Sequence, residues 1–93
     1  MLFFVHCIDK PNRRDVRPAN RPAHLEFLKK LGDKVILGGP TLAEDGETMT
    51  GSVLILDMPD RAAVETLMDN EPYFKAGLFE AVIIRPYKKV FGA

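Results

Sequence analysis

The hydrophobic positions of the chain fall into four short apolar segments and two segments with the spacing of a helix. The short segments are rich in aromatic and β-branched residues, a composition that favours strands. We predict strands over Leu2–Ile8, Lys34–Leu37, Ser52–Asp57 and Phe79–Tyr87. Residues that favour turns separate each of these segments from its neighbours, and the last strand can extend towards the C-terminus.

The first helical segment carries three leucines at three-residue intervals and is followed by Gly32, a natural C-cap. We expect this helix to run from Asn20, which can cap it, to Leu31. Pro22 then lies in the first turn, where its missing N–H has no partner to lose. An earlier start near Val16 is the alternative, but it places two prolines in or near the helix interior.

The second helical segment follows Asp60, a plausible N-cap, and runs to about Asp69 with its apolar residues on one face. Glu71 and Pro72 end it, because the residue before a proline avoids the helical region. The resulting order, β-α-β-β-α-β, predicts an α+β domain of the ferredoxin-like type. Its sheet is expected to be antiparallel, with both helices on one face, and residues 1–93 form one domain.

The first and last strands are apolar at both odd and even positions, which predicts a sheet buried on both faces. Both helices are assigned to one face, and a chain of 93 residues has no other element to cover the second face. Exposing an apolar surface of that size would be costly. We therefore expect a homodimer that forms through the sheet face.

Charge and composition narrow the choice of partners. Thirteen basic and thirteen acidic residues give zero formal net charge, so neither nucleic acid nor a membrane surface is expected as a partner. The most basic stretch, Lys10–Arg21, is interpreted as a solvated loop and helix start. Cys7 is the only cysteine, and the two histidines lack zinc-site spacing, so we predict no metal and no organic cofactor. A free thiol without an export signal predicts a cytoplasmic protein.

Several motifs occur in a characteristic order: Arg21–Leu28 in the first helix, Gly38–Pro40, Gly46, Gly51-Ser52 and Glu71–Phe79. With these motifs the chain resembles the YciI-like, or YCII-related, family over almost its whole length. The resemblance implies a dimeric α/β barrel made of two ferredoxin-like halves. It also implies an active site around a histidine–aspartate pair. A few relatives are linked to dehalogenation or elimination on oxidised aromatic rings, although most have no assigned reaction.

The resemblance places His24 at the histidine position of the family and Glu71 where the family usually has aspartate. Glutamate keeps the carboxylate but adds a methylene, which changes its reach. In this interpretation His24 acts as general base or acid, and Glu71 fixes its tautomer and stabilises the imidazolium. Without the resemblance, the favoured explanations are an ordinary helix histidine for His24 and an exposed acid in a helix-ending turn for Glu71.

Five further residues are candidates for substrate binding: Arg21, Gly39, Pro40, Ser52 and Tyr73. Arg21 precedes His24 by three residues, so both lie on one helix face, where a guanidinium can bind a carboxylate or phenolate. The glycines can bring backbone N–H groups close to a ligand. The structural alternatives are a surface arginine, a bend at a strand end and an aromatic core residue.

Three functions are compatible with these features. The first is a lyase-like or isomerase-like enzyme that acts on a small cyclic or aromatic acid without metal or cofactor. Its substrate would enter a cleft between the start of the first helix and the segment Glu71–Phe79. The second is a non-catalytic module that binds a small metabolite in the same cleft. The third is an accessory homodimer that binds other proteins, in which the cleft would be filled.

Overall fold

The computed structural model describes all 93 residues and shows four strands and three helices. The strands are β1 (Leu2–Asp9), β2 (Val35–Leu42), β3 (Met49–Asp57) and β4 (Phe79–Tyr87). The helices are α1 (Val16–Leu31), α2 (Arg61–Asp69) and the one-turn α3 (Pro72–Lys75), with a 3-10 turn at Gly32–Lys34. The predicted ferredoxin-like α+β order is confirmed, with α3 as an addition. No helix combines the length and the apolar character needed to cross a membrane.

The four strands form one antiparallel sheet in the order β2-β3-β1-β4. β1 is central, and its Val5 lies opposite Leu54 of β3 and Ile84 of β4. Residues that lie opposite one another share a face of the sheet. The odd-numbered residues of β1 therefore point with Leu54 and Ile84 to the helix side, and the even-numbered residues point to the other side.

The core lies between the sheet and the helices. Its fully buried residues come from the strands, from α2 and from the segment before α2: Phe3, Val5, Cys7, Leu54, Leu56, Met58, Val64, Met68 and Ile84. Burial of each large apolar side chain contributes about 1.5–3 kcal/mol relative to its exposure. The alternate residues of β1 are only half-buried, so the second face of the sheet is open in the single chain.

Helix α1 begins four residues earlier than the favoured prediction, at Val16 rather than Asn20. Asn20 is not the cap; its side-chain amide donates to the Val16 carbonyl at 3.0 Å. Pro18 fits the first turn, where its missing N–H costs nothing. Pro22 lies inside the helix and removes one backbone hydrogen bond. The early start is stabilised by Arg17, which binds groups of the sheet and so holds the first turn against it.

Strand β2 also differs from its prediction, because it continues past Leu37 to Leu42 and includes the two glycines and the proline. The bend predicted at this point is wrong. Gly38 lies opposite Leu54, and a Cβ at Gly38 would come within 2.6 Å of the Leu54 side chain. Pro40 is tolerated because β2 is an edge strand, where a missing N–H need not remove a ladder bond.

The β2–β3 hairpin turn and the start of α2 agree with their local signals. The Asp45 carboxylate accepts the backbone N–H groups of Glu47 and Thr48, both at 2.9 Å. Hydrogen bonds, first of all from Thr48, hold the Asp45 pKa at about 2. Asp60 caps α2 as predicted and accepts the backbone N–H of Ala63 at 2.8 Å.

Candidate active site

His24 and Glu71 are 47 residues apart in sequence and meet in a hydrogen bond of 2.6 Å between Nδ1 and Oε1. His24 lies in the middle of α1, and Glu71 directly precedes α3. Glu71 is 1 % exposed and the His24 side chain is 13 % exposed, so the pair joins the interior to the surface. The structure thus brings together the two residues that the sequence proposed as catalytic.

Glu71 reaches His24 because of its place before a proline. Its backbone is extended, at φ −71° and ψ 130°, as Pro72 requires. The second carboxylate oxygen, Oε2, accepts the backbone N–H of Phe74 at 2.9 Å and caps α3. A carboxylate accepts hydrogen bonds only, so in the neutral imidazole Nδ1 of His24 carries the proton and donates it, and Nε2 is an acceptor.

Tyr73 fixes the plane of the His24 ring. The two rings stack with centroids 4.0 Å apart and an angle of 15° between their planes. Phe79 meets the Tyr73 ring edge-on, with centroids 6.3 Å apart. Tyr73 is only 2 % exposed, and burial raises the pKa of its hydroxyl above the usual value of 10.0. The imidazole is therefore held from two sides, by Glu71 in its plane and by Tyr73 against its face.

Arg17 is a buried residue of the site that the sequence analysis missed. It is 7 % exposed and binds Asp9 through two hydrogen bonds, of 2.6 and 3.0 Å. It also donates to the Ser52 hydroxyl at 3.0 Å, and its guanidinium carbon lies 5.0 Å from the Tyr73 ring centroid. The interpretation of this basic stretch as solvated is wrong for Arg17. Arg17 precedes His24 by seven residues, so both lie on one helix face. This spacing is the feature of the sequence that could have indicated a place for Arg17 in the site.

A cavity of about 200 Å³ lies between α1 and strands β2 and β3. All the predicted site residues except Glu71 line it: Arg21, His24, Gly39, Pro40, Ser52 and Tyr73. Glu71 lies behind His24 instead. The cleft was predicted between the start of α1 and the segment 71–79, and the structure shifts it towards β2 and β3. Of the aromatic residues in the segment 71–79, only Tyr73 lines the cavity, while Phe74 is 40 % exposed on α3.

A larger open groove of about 990 Å³ adjoins the cavity and shares Arg17 and Met49 with it. It runs between residues 9–18 and residues 47–50 and is lined mostly by polar and charged side chains. The charge of Arg17 is matched by Asp9, whereas Arg21 forms no ion pair within the chain. The cavity is therefore lined by one cationic side chain, Arg21, that has no ion-pair partner, and it opens into a mostly polar groove.

No group of three or more histidine, cysteine or acidic side chains is arranged to hold a metal ion. Cys7 is the only thiol of the chain and is buried, so its suitability as a nucleophile depends on its pKa. Burial, together with the nearby Glu71 carboxylate, raises its pKa to about 12, so the thiol is protonated at neutral pH. Cys7 is a core residue on the helix side of β1, where it packs as a small apolar side chain.

The antiparallel sheet with its helices on one face defines a ferredoxin-like protein with the fold shared by dimeric α/β-barrel proteins, and a ring-sized cavity lies on the helix side of the sheet. Residues 1–88 match the YCII-related domain, and the chain belongs to this family, as the sequence motifs indicated. Protein YciI of Escherichia coli O6:H1 is 35 % identical over 98 aligned positions, which cover 98 % of this chain and all of that protein. An uncharacterised protein of Haemophilus influenzae is 34 % identical with the same coverage.

Among solved structures, the chain is similar to 5-chloro-2-hydroxyhydroquinone dehydrochlorinase (TftG) of Burkholderia phenoliruptrix AC1100, determined in complex with 2,5-dihydroxybenzoquinone. The two share 40 % identity with a TM-score of 0.87, over 95 % of this chain and 94 % of that one. An antibiotic biosynthesis monooxygenase covers 96 % of this chain and 100 % of its own at 15 % identity and a TM-score of 0.54. That second likeness concerns the fold alone.

Proposed function

We propose that this protein is a lyase that needs no metal or organic cofactor and eliminates a small leaving group from a hydroxylated aromatic ring. The observation that carries the proposal is the 2.6 Å hydrogen bond between His24 and the buried Glu71, beside a cavity of about 200 Å³. A cavity of this volume suits a single substituted ring. The similarity to a dehydrochlorinase at 40 % identity supports the reaction class.

In this proposal His24 is the general base. Glu71 accepts a hydrogen bond from the Nδ1–H group, so the lone pair of Nε2 is available to take a proton from a ring hydroxyl. The imidazolium that results is stabilised by the carboxylate 2.6 Å away. The stack on Tyr73 holds the ring in the orientation needed for this transfer.

Two groups are suited to bind the oxygens of the substrate. Arg21 lines the cavity and has no carboxylate partner, so its guanidinium can pair with a phenolate or carboxylate. The Ser52 oxygen accepts a hydrogen bond from Arg17, which leaves the Ser52 hydroxyl proton free to be donated to a substrate oxygen. Both interactions strengthen as negative charge develops on the ring oxygens.

The elimination balances without an oxidant or reductant. On a chlorinated trihydroxybenzene, one hydroxyl proton is lost and a proton is added to the ring carbon that bears chlorine. Loss of a second hydroxyl proton then breaks the C–Cl bond, and chloride leaves with the bonding electrons. One C–H bond forms, two O–H bonds break, and the ring becomes a hydroxyquinone with net loss of HCl.

The test is chloride release and quinone absorbance from 5-chloro-2-hydroxyhydroquinone under anaerobic conditions. We expect turnover by the wild-type chain and losses of about 100-fold or more in kcat for His24→Gln and Glu71→Gln. Glu26→Gln, which changes an exposed acid of the same helix, is the matched control and should keep full activity. A wild-type chain that binds 2,5-dihydroxybenzoquinone but releases no chloride would be a binding module, and the proposal would be wrong.

We also propose that a second copy of the chain covers the open face of the sheet. The half-buried residues on that face are mostly apolar and include Leu2, Phe4, Ile8, Val53 and Ile83. No element of the same chain packs against them, because all three helices lie on the other side. Two sheets of the same kind, face to face, bury these residues in the way a barrel requires.

A further inference from the structure

The proposed elimination needs a group that gives a proton to the ring carbon, and His24 cannot be that group in the first step because it enters as a base. The donor must carry a proton at neutral pH and must reach the cavity. Of the residues that line the cavity, Tyr73 has an acidic hydroxyl that meets both conditions. A role for Tyr73 as this donor rests on the proposed function.

The Tyr73 hydroxyl is free to act on a ligand. Its hydrogen-bonding neighbour is the guanidinium of Arg17, which can only donate, so the hydroxyl keeps its own proton to give. Tyr73 lines the cavity although the residue is only 2 % exposed. Tyrosine hydroxyl groups usually find an acceptor for this proton when they are buried, and a substrate atom would fill that place.

The surroundings of Tyr73 suit a group that gives up a proton and regains it. Burial raises the pKa of the hydroxyl, so it is protonated in the resting protein. The guanidinium groups of Arg17 and Arg21 act in the opposite direction and stabilise the anion that forms when the proton leaves. The Arg17 guanidinium is itself fixed by Asp9 and Ser52, so it needs no rearrangement during the reaction.

We infer that Tyr73 is the acid of the reaction and donates its hydroxyl proton to the ring carbon that carries the leaving group. The Tyr73 O–H bond breaks as the new ring C–H bond forms, and the tyrosinate is held between two cations. One of the two hydroxyl protons that the ring loses returns to Tyr73 through the His24 imidazolium or water. The other leaves with chloride as HCl, so atoms and charges balance.

The first test is Tyr73→Phe, which keeps the ring that stacks on His24 and removes only the hydroxyl. We expect kcat with 5-chloro-2-hydroxyhydroquinone to fall about 100-fold, with KM and the affinity for 2,5-dihydroxybenzoquinone nearly unchanged. Tyr87→Phe removes the only other tyrosine hydroxyl, on the half-exposed end of β4, and is the matched control with full activity. A raised KM with unchanged kcat would make Tyr73 a binding residue and overturn the inference.

A second test separates proton donation from a packing role. In the Tyr87→Phe background Tyr73 is the only tyrosine, so growth on 3-fluorotyrosine replaces this residue alone with a more acidic phenol. We expect the alkaline limb of the pH profile of kcat to move to lower pH by the difference between the pKa values of tyrosine and 3-fluorotyrosine. An alkaline limb that does not move would overturn the assignment, since fluorine would leave a packing role unchanged.

The outcomes also distinguish this inference from the function on which it rests. Chloride release that survives Tyr73→Phe overturns the role of Tyr73 and leaves the His24–Glu71 proposal intact. Absence of chloride release by the wild-type chain overturns both. Loss of activity in Tyr73→Phe with a normal His24 tautomer by ¹⁵N NMR supports the assignment, because the stack and the Glu71 hydrogen bond are then preserved.

Discussion

The two carboxylate oxygens of Glu71 have different partners: one accepts from His24 and the other accepts from the backbone of Phe74. The same side chain therefore orients the imidazole and begins α3. A buried carboxylate is costly unless its oxygens are hydrogen-bonded, and here both are. The added methylene of glutamate is compatible with both bonds, so the replacement of the family's usual aspartate keeps the carboxylate within reach of the histidine.

Sequence reasoning proposed His24 and Glu71 as site residues and did not single out Arg17. The first two lie in motifs that can be compared with a family. The burial of Arg17 depends on Asp9 and Ser52, which are 8 and 35 residues away along the chain and become its neighbours only when the sheet forms. A guanidinium in a charged stretch is usually solvated, so no local pattern separates Arg17 from the exposed arginines near it.

Cys7 gives a prediction at the scale of one residue. Its thiol pKa is raised by burial from 9.0 to about 12, so between these values the unfolded chain loses a proton that the folded chain keeps. The free energy of unfolding therefore falls as pH rises from about 9 to 12. We expect denaturation curves of the wild type to show this loss, and Cys7→Ala to show a smaller dependence on pH.

The same thiol should not react with a disulfide reagent at pH 8 in the native protein and should react at once in denaturant. Rapid labelling of the folded chain would contradict the burial of Cys7, which is 1 % exposed.

At the scale of elements, local signals determine some boundaries and long-range contacts determine others. The bounds of β4 were predicted correctly. The end of α2 was also predicted correctly, because the stop signals at Glu71 and Pro72 act within a few residues. The start of α1 and the end of β2 were not. The first depends on the attachment of Arg17 to the sheet, and the second on the pairing of β2 with β3.

Glycines 51 and 39 provide a matched pair for testing the sheet. A Cβ at Gly51 would lie 2.2 Å from the Cys7 carbonyl oxygen, which is backbone and cannot turn aside. A Cβ at Gly39 would meet no atom within 4 Å. We expect Gly51→Ala to lower the free energy of unfolding by about 1–3 kcal/mol and Gly39→Ala to change it by less than about 1 kcal/mol.

Urea denaturation followed by circular dichroism measures both variants. Equal stabilities for the two variants would show that β1 and β3 are not packed as closely as the structure indicates.

At the scale of the whole molecule, one face of the sheet is covered by helices and the other is open. The sequence predicted this asymmetry from the apolar residues at both parities of the first and last strands. Family membership and the ferredoxin-like fold follow from features spread over the full chain, which is why sequence reasoning recovered them better than it recovered individual boundaries.

The open face predicts the effect of a charge on assembly. Phe4 lies on that face in the central strand, so Phe4→Glu should leave the helix-side core intact and prevent two sheets from packing together. Light scattering should report a dimer for the wild type and a monomer for Phe4→Glu. Ala62→Glu adds the same charge to the exposed surface of α2 and should remain a dimer. A monomeric wild type would contradict the proposed assembly.

The cavity lies on the helix side of the sheet, bounded by side chains such as Ser52 and Leu54. A partner that covers the opposite face would leave the two cavities of a dimer on the outside of the assembly, pointing away from each other. Each cavity is then built from one chain only, and filling one leaves the other unaltered. Saturation curves for any ligand of these cavities should be hyperbolic, with a Hill coefficient of about one.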